Sequence, residues 1–203
     1  MRLKFGKILI ATTNKHKFEE IRSILSGFLK GVSFLSLSNL KKVKEPEENG
    51  RTFFENALIK AKYYYSLFKI PVIAEDSGLE VEALNGEPGV LSARYAGPNS
   101  TQESLIRKLL KNMEGKVNRN ASFVCCVVFM YDKDRYIFSE GVVRGSISYS
   151  PKGNYGFGYD PVFIPQGYDK TFAELGPKLK NQISHRRKAL LELVVKLSET
   201  NLG

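Results

Sequence analysis

Apolar residues along this chain switch between two spacings, and each switch marks an element. Lys7 to Thr12 (KILIAT) is a short apolar run of strand length, and Thr13-Asn14-Lys15-His16-Lys17 interrupts it. Phe18, Ile21, Ile24 and Leu25 then fall on one face of a helix. Val32 to Leu37 predicts a second strand, and residues 41–51 a polar loop containing Pro46 and Gly50. Thr52 with Glu55 makes a capping box that opens a helix through about Phe68, with Phe54, Leu58, Ala61 and Phe68 inward. Pro71 to Ala74 predicts a strand that runs out at Glu75-Asp76-Ser77-Gly78.

The second half reads the same way. Gly86 to Gly97 is loop-rich, and Thr101 to Met113 predicts a helix. Ala121–Tyr131 and Arg135–Val143 are long strands joined by Asp132-Lys133-Asp134, a hairpin signal, and Arg144 to Ser148 extends the second. A glycine-rich loop at 153–160 precedes a strand at Val162–Ile164. A last helix starts near Ser184, with Ala189, Leu190, Leu193, Val194 and Leu197 as its apolar stripe. A hairpin among crossover units predicts an α/β fold on a mixed sheet. No linker or repeat divides the chain, so residues 1–203 are expected to form one domain.

Composition narrows the picture. Hydrophobic content of 42% and charged content of 26% belong to an ordinary globular protein. No apolar run approaches the roughly 20 residues needed to span a bilayer, and Met1 to Lys7 has no signal-peptide core, so a cytoplasmic protein is expected. Cys125 and Cys126 are adjacent in a strand and should point to opposite faces, which disfavours a disulfide or a shared metal. The net charge of +10 raises the question of nucleic acid, but the lysines are scattered and no nucleic-acid module is present. Lys178 to Lys188 holds five Lys or Arg plus His185 and no acid, which suits a polyanionic small molecule equally well.

Four places could carry chemistry. Thr12, Thr13 and Asn14 open a helix whose unpaired N–H groups suit phosphate, and Lys17 adds a mobile cation. Glu45, Glu47 and Glu48 precede the capped helix, and with Glu75 and Asp76 they offer the few carboxylates that Mg²⁺ prefers beside phosphate oxygens. Glu75 and Asp76 should face opposite sides of their strand. In the glycine-rich loop, Phe157 and Tyr159 offer ring faces to a base. Ser184-His185-Arg186-Arg187-Lys188 places cationic groups in the first turn of a helix, against its dipole, where an anion or an electron-rich base edge would resolve the conflict. Together these are the parts of a nucleoside triphosphate site.

Five segments in this order resemble the inosine triphosphate pyrophosphatase family: ATTNKHK (11–17), TFFENALIKA (52–61), EDSGLEVEALNGEPGVLSARYAG (75–97), GFGYDPVFIP (156–165) and KNQISHRRKAL (180–190). The resemblance implies hydrolysis of ITP, dITP and XTP to the monophosphate and pyrophosphate, Mg²⁺ dependence and a homodimer. It also implies an elongated mixed sheet flanked by helices, with two lobes around a central cleft. By position, Thr12, Thr13, Asn14, Lys15, His16 and Lys17 match the family's phosphate-binding stretch. Asp76 matches the proton-accepting, metal-binding carboxylate, and Ser77 a substrate contact. Glu48 matches the second metal ligand, with Glu75 within reach of the metal. Phe157, Gly158, Tyr159, Asp160, Lys180, His185 and Arg186 match residues around base and sugar, His185 and Arg186 reading the oxo edge. Thr13 and Tyr155 stand where many relatives have glycine, and Glu75 where many bacterial relatives have Asp.

Two other readings remain open. One is a pyrophosphatase for modified pyrimidine triphosphates. The other is a basic nucleotide- or RNA-binding protein without catalysis, and the carboxylates at 75–76 argue against it because they repel phosphate unless a cation intervenes.

Overall fold

The computed structural model describes residues 1–200 and Leu202. Six strands form one mixed sheet in the order β2-β1-β3-β4-β5-β6. They are β1 (Lys7–Ile10), β2 (Ser33–Ser36), β3 (Val72–Val81), β4 (Asn120–Asp132), β5 (Arg135–Ile147) and β6 (Phe163–Pro165). β1 pairs in parallel with β2 and β3, whereas β5 and β6 are antiparallel. Among the described residues the α-helices are α1 (Lys15–Ser26), α2 (Phe53–Phe68), α3 (Gln102–Asn112), α4 (Phe172–Ile183) and α5 (His185–Glu199). Among the described residues no helix is long and apolar enough to cross a membrane.

The chain folds into two compact units, each assembled from separate stretches of sequence. The first comprises Met1–Asp76, Cys125–Gly141 and Arg186–Gly203. Its part of the sheet is covered on both faces, as side-chain alternation dictates. Ile8, Ile10, Ile73, Cys125, Val127 and Phe129 pack with Ile21, Ile24 and Leu25 of α1 and with Ala189, Leu190 and Leu193 of α5. Leu9, Val72, Ala74 and Val128, from the opposite face, pack with Ala57, Ala61 and Tyr64 of α2. The inward residues of α2 are therefore Phe53, Asn56, Ala57, Ala61 and Tyr64; Phe54, Leu58 and Phe68 are half-buried at the rim of that core. Tyr64 is pushed up to about 12, chiefly by burial.

The second unit comprises Ser77–Val124 and Val142–His185. Leu79, Val81, Phe123, Val143 and Phe163 pack with Ile106 and Leu109 of α3 and Phe172 of α4. Phe123, Phe163 and Phe172 form an aromatic knot, with centroids 4.6 Å apart for the first pair and 5.4 Å for the second and third.

Two elements depart from the sequence-based expectation. β3 does not stop at Ala74 but runs on through Glu75, Asp76, Ser77 and Gly78 to Val81, so the acidic pair lies in mid-strand. α4 has no counterpart in the hydrophobic pattern. Gly176, at φ 79°, and Pro177 break its helical period into two pieces joined by a kink.

Candidate active site

Because β3 continues, its alternation carries on past the apolar residues, and Glu75 and Asp76 inherit the two faces of the first unit. Glu75 lies on the face of Ile73, toward α1 and α5, and Asp76 on the face of Ala74, toward α2. Both are buried, at 4% and 9% exposure. A buried carboxylate is tolerated only with partners, and the two have different ones.

Glu75 belongs to a closed ionic cluster. Arg186 donates from Nε to Glu75 Oε2 at 2.7 Å and from Nη2 to Oε1 at 3.0 Å, a bidentate fork. Its Nη1 donates to Glu20 Oε2 at 2.7 Å. Lys17, on the first turn of α1, approaches Glu75 Oε1 at 2.9 Å, and the Cys125 thiol donates to Oε2 at 3.3 Å. Burial pushes the Glu75 carboxyl up, but Arg186 and Lys17 outweigh it and hold the group well below the usual carboxylate range. Burial also pushes the Cys125 thiol well up, with the Glu75 charge adding to it. Arg186 is 1% exposed and spends these donors on carboxylates. The anion that its place at the start of α5 called for is supplied by the protein itself.

Asp76 is surrounded differently. Asn56 Nδ2 donates to Oδ2 at 3.0 Å, and Lys60 Nζ lies 3.7 Å from Oδ1. The same ammonium donates to Glu48 Oε2 at 3.0 Å. Burial raises the Asp76 carboxyl above the usual aspartate range, with Lys60 and the Asn56 hydrogen bond opposing and Glu48 adding to the rise. Two carboxylates thus converge on one cation, Lys60. A site of two carboxylates suits Mg²⁺, which takes its remaining positions from water and substrate phosphate. Among the described residues no group of three or more His, Cys, Asp or Glu is arranged to hold a metal by itself.

Ahead of α1, Thr12 Oγ1 accepts from the Asn14 amide at 3.2 Å, and Asn14 Oδ1 caps the helix by accepting from Lys17 N at 3.1 Å. Thr13, Asn14, Lys15 and His16 are exposed, and Thr12 and Lys17 half-buried.

In the second unit, Asp160 is 1% exposed, and its Oδ2 accepts from Phe157 N at 2.8 Å and Lys180 Nζ at 2.6 Å. Lys180 Nζ also sits 4.3 Å from the centre of the Phe157 ring, a cation–π contact. Gly156, at φ 81°, passes so close to the Asp160 carboxylate that a Cβ there would collide with it. Tyr159 packs in the core at 3% exposure and donates from its hydroxyl to Ser92 O at 3.0 Å, which leaves Phe157 as the half-buried ring of that loop. His185 is 4% exposed and stacks on Phe123 at 4.8 Å. Ser77 and Gly158 are half-buried.

The structure therefore gathers Lys17, Glu75 and Arg186 into one cluster, Glu48 and Asp76 around Lys60, and Phe157 and Asp160 around Lys180. Sequence reading missed Lys60, Asn56 and Glu20. The spacing of Asn56 and Lys60, four apart on a capped helix just after an acidic loop, was the available signal for the first two. Glu20 carried none, since its partner lies 166 residues away.

These features coincide with a known family. The Ham1 family model matches residues 8–196. The chain belongs to the Ham1 family. A dITP/XTP pyrophosphatase of Aquifex aeolicus is 48% identical over 197 residues, 93% of this chain and 95% of that protein. The Ham1 protein of Coxiella burnetii has a similar structure, with a TM-score of 0.88 and 39% identity over 96% of this chain and 99% of the other. That of Staphylococcus aureus gives a TM-score of 0.86 and 40% identity, covering 95% of this chain and 98% of its own.

Proposed function

We propose that this Ham1-family protein hydrolyses non-standard purine nucleoside triphosphates (ITP, dITP and XTP) to the monophosphate and pyrophosphate. The observation that carries this reading is Asp76: a buried carboxylate, raised above the usual aspartate range by burial, with Glu48 alongside and Lys60 touching both. That the Aquifex aeolicus relative is a dITP/XTP pyrophosphatase supports the substrate class.

In the reaction, water oxygen bonds to the α-phosphorus, the bond from that phosphorus to the bridging oxygen breaks, and pyrophosphate leaves. Asp76 orients the water and takes its proton. Glu48 and Asp76 are the residues that would hold Mg²⁺, which would neutralise charge on the phosphates. Lys60 balances the charge of the two carboxylates. Lys17, with Thr12 to His16 at the start of α1, clamps the phosphate tail, and Ser77 contacts the substrate. Glu75 is given a supporting part: with Arg186 and Cys125 on its oxygens it anchors Lys17. Arg186 also positions Glu75, and with His185 it reads the oxo edge of the base, with Phe157 or Tyr159 as the stacking ring and Lys180 beside base and sugar. Asp160 and Gly158 hold the Phe157 ring and the Lys180 ammonium in place.

A panel of triphosphates with pyrophosphate detection tests the reading. ITP, dITP and XTP are expected to turn over at least about a hundredfold faster than ATP, whose 6-amino donor faces donors in such a site. Modified pyrimidine triphosphates are expected to be slow; if they lead the panel, the purine assignment fails. The homodimer and a cytoplasmic location complete the proposal, and light scattering of the purified protein checks the first.

A further inference from the structure

Asn56 has no role in the reaction as derived above, yet its side chain is one of the most enclosed polar groups in the first unit, at 1% exposure. Its amide is used at both ends. Oδ1 accepts from the Gly50 backbone N–H at 2.8 Å, and Nδ2 donates to Asp76 Oδ2 at 3.0 Å. The amide thus links the acidic loop to β3. Gly50 is held tightly there: a Cβ would meet Asn56 Oδ1 and Glu55 Cβ, each at 2.7 Å, and the Asn56 backbone nitrogen at 2.9 Å. Glu48 lies two residues before this pin. Four residues along α2, on the same helix face, Lys60 touches Glu48 and the other Asp76 oxygen.

Asn56 and Lys60 therefore divide the Asp76 carboxylate between them, and they differ in kind. An ammonium competes with an incoming metal for the same oxygens. A neutral amide holds one oxygen without competing, as the outer hydrogen-bond partners of ligating carboxylates do. We propose that Asn56 is a positioning residue: it fixes the rotation of the Asp76 carboxylate, so that Oδ1 is the oxygen presented toward Glu48, and sets the acidic loop at the matching distance. This rests on the proposed function for its kinetic consequence but not for its binding consequence.

The test uses three variants of the full chain: Asn56→Ala, which removes both bonds; Asn56→Asp, which keeps the acceptor for Gly50 but places a carboxylate against Asp76; and Ala57→Gly, a neighbouring destabilised control on the same helix. Mn²⁺ binding to the nucleotide-free protein is followed by electron paramagnetic resonance, and ITP hydrolysis is measured at saturating Mg²⁺. Asn56→Ala is expected to weaken Mn²⁺ binding about tenfold and to lower kcat by roughly 10–100-fold, with KM for ITP changing less than about threefold. Asn56→Asp is expected to lower kcat to a similar extent, and Ala57→Gly to keep parental Mn²⁺ affinity. Mn²⁺ affinity and kcat within twofold of the parent in Asn56→Ala would overturn the proposal. So would parental kcat in Asn56→Asp, or an equal loss of Mn²⁺ affinity in Ala57→Gly. If the parent itself releases no pyrophosphate from any purine triphosphate, the functional reading fails, and the Mn²⁺ measurements alone decide the role of Asn56.

Discussion

Asp76→Asn is expected to bind ITP with near-parental affinity while its pyrophosphate release falls by about a thousandfold. The amide keeps the shape of the side chain but can neither accept the proton of the attacking water nor hold a divalent cation as a carboxylate does. General-base removal alone accounts for about 10²–10⁴ in rate. The fold should tolerate the change. Burial disfavours the ionised form of Asp76, so a neutral residue relieves desolvation even as it forfeits part of the contact with Lys60. Calorimetric ITP binding, single-turnover hydrolysis and thermal unfolding together check the prediction. Parental turnover in a folded Asp76→Asn protein would end the assignment of the base.

The second large effect concerns stability. In Arg186→Met, Glu75 and Glu20 remain buried with Lys17 as the cation left on Glu75. Breaking a buried ion pair from one side costs about 3–5 kcal/mol, a fall of roughly 10 °C in Tm for a chain of this size. The pH dependence has a definite sign. In the parent, Glu75 sits well below the ordinary range, so its stabilisation is present above about pH 4.5 and is lost as pH falls through its lowered value. Without the guanidinium, burial dominates and raises the same carboxyl, so the variant gains relative to the parent on acidification. The Tm gap should narrow between pH 7 and pH 4.5; a constant gap would show that Glu75 is not held ionised by Arg186.

What could be read from the chain beforehand followed local rules. The alternation through Val72–Ala74 set which face each acid would take, and Asn14 and Thr52 announced their helices. The length of β3 was hidden because Glu75, Asp76, Ser77 and Gly78 are poor strand formers that only tertiary partners make tolerable. Those partners, Arg186 and Lys60, lie 111 and 16 residues from their carboxylates, and no periodicity connects them. For the same reason the ionic partners of Arg186 were hidden. Its position at the start of α5 called for an anion, and the sequence could not say that Glu75 and Glu20 already supplied it. The enclosure of Tyr159 was hidden as well, because an aromatic in a glycine-rich loop looks exposed. Only the packing around Val162 and Phe172 shows it turned into the core.

The cluster of Lys17, Glu75, Arg186 and Glu20 carries two positive and two negative charges, nearly all of it beyond the reach of counterions. Ionic strength should therefore leave the pairing inside this cluster almost untouched. The surplus of +10 is a different matter, because exposed lysines such as Lys15 draw a polyanionic substrate inward through a field that salt screens within about 8 Å at physiological strength. Raising salt should slow capture of the triphosphate, seen as a falling kcat/KM, while the interior holds its shape.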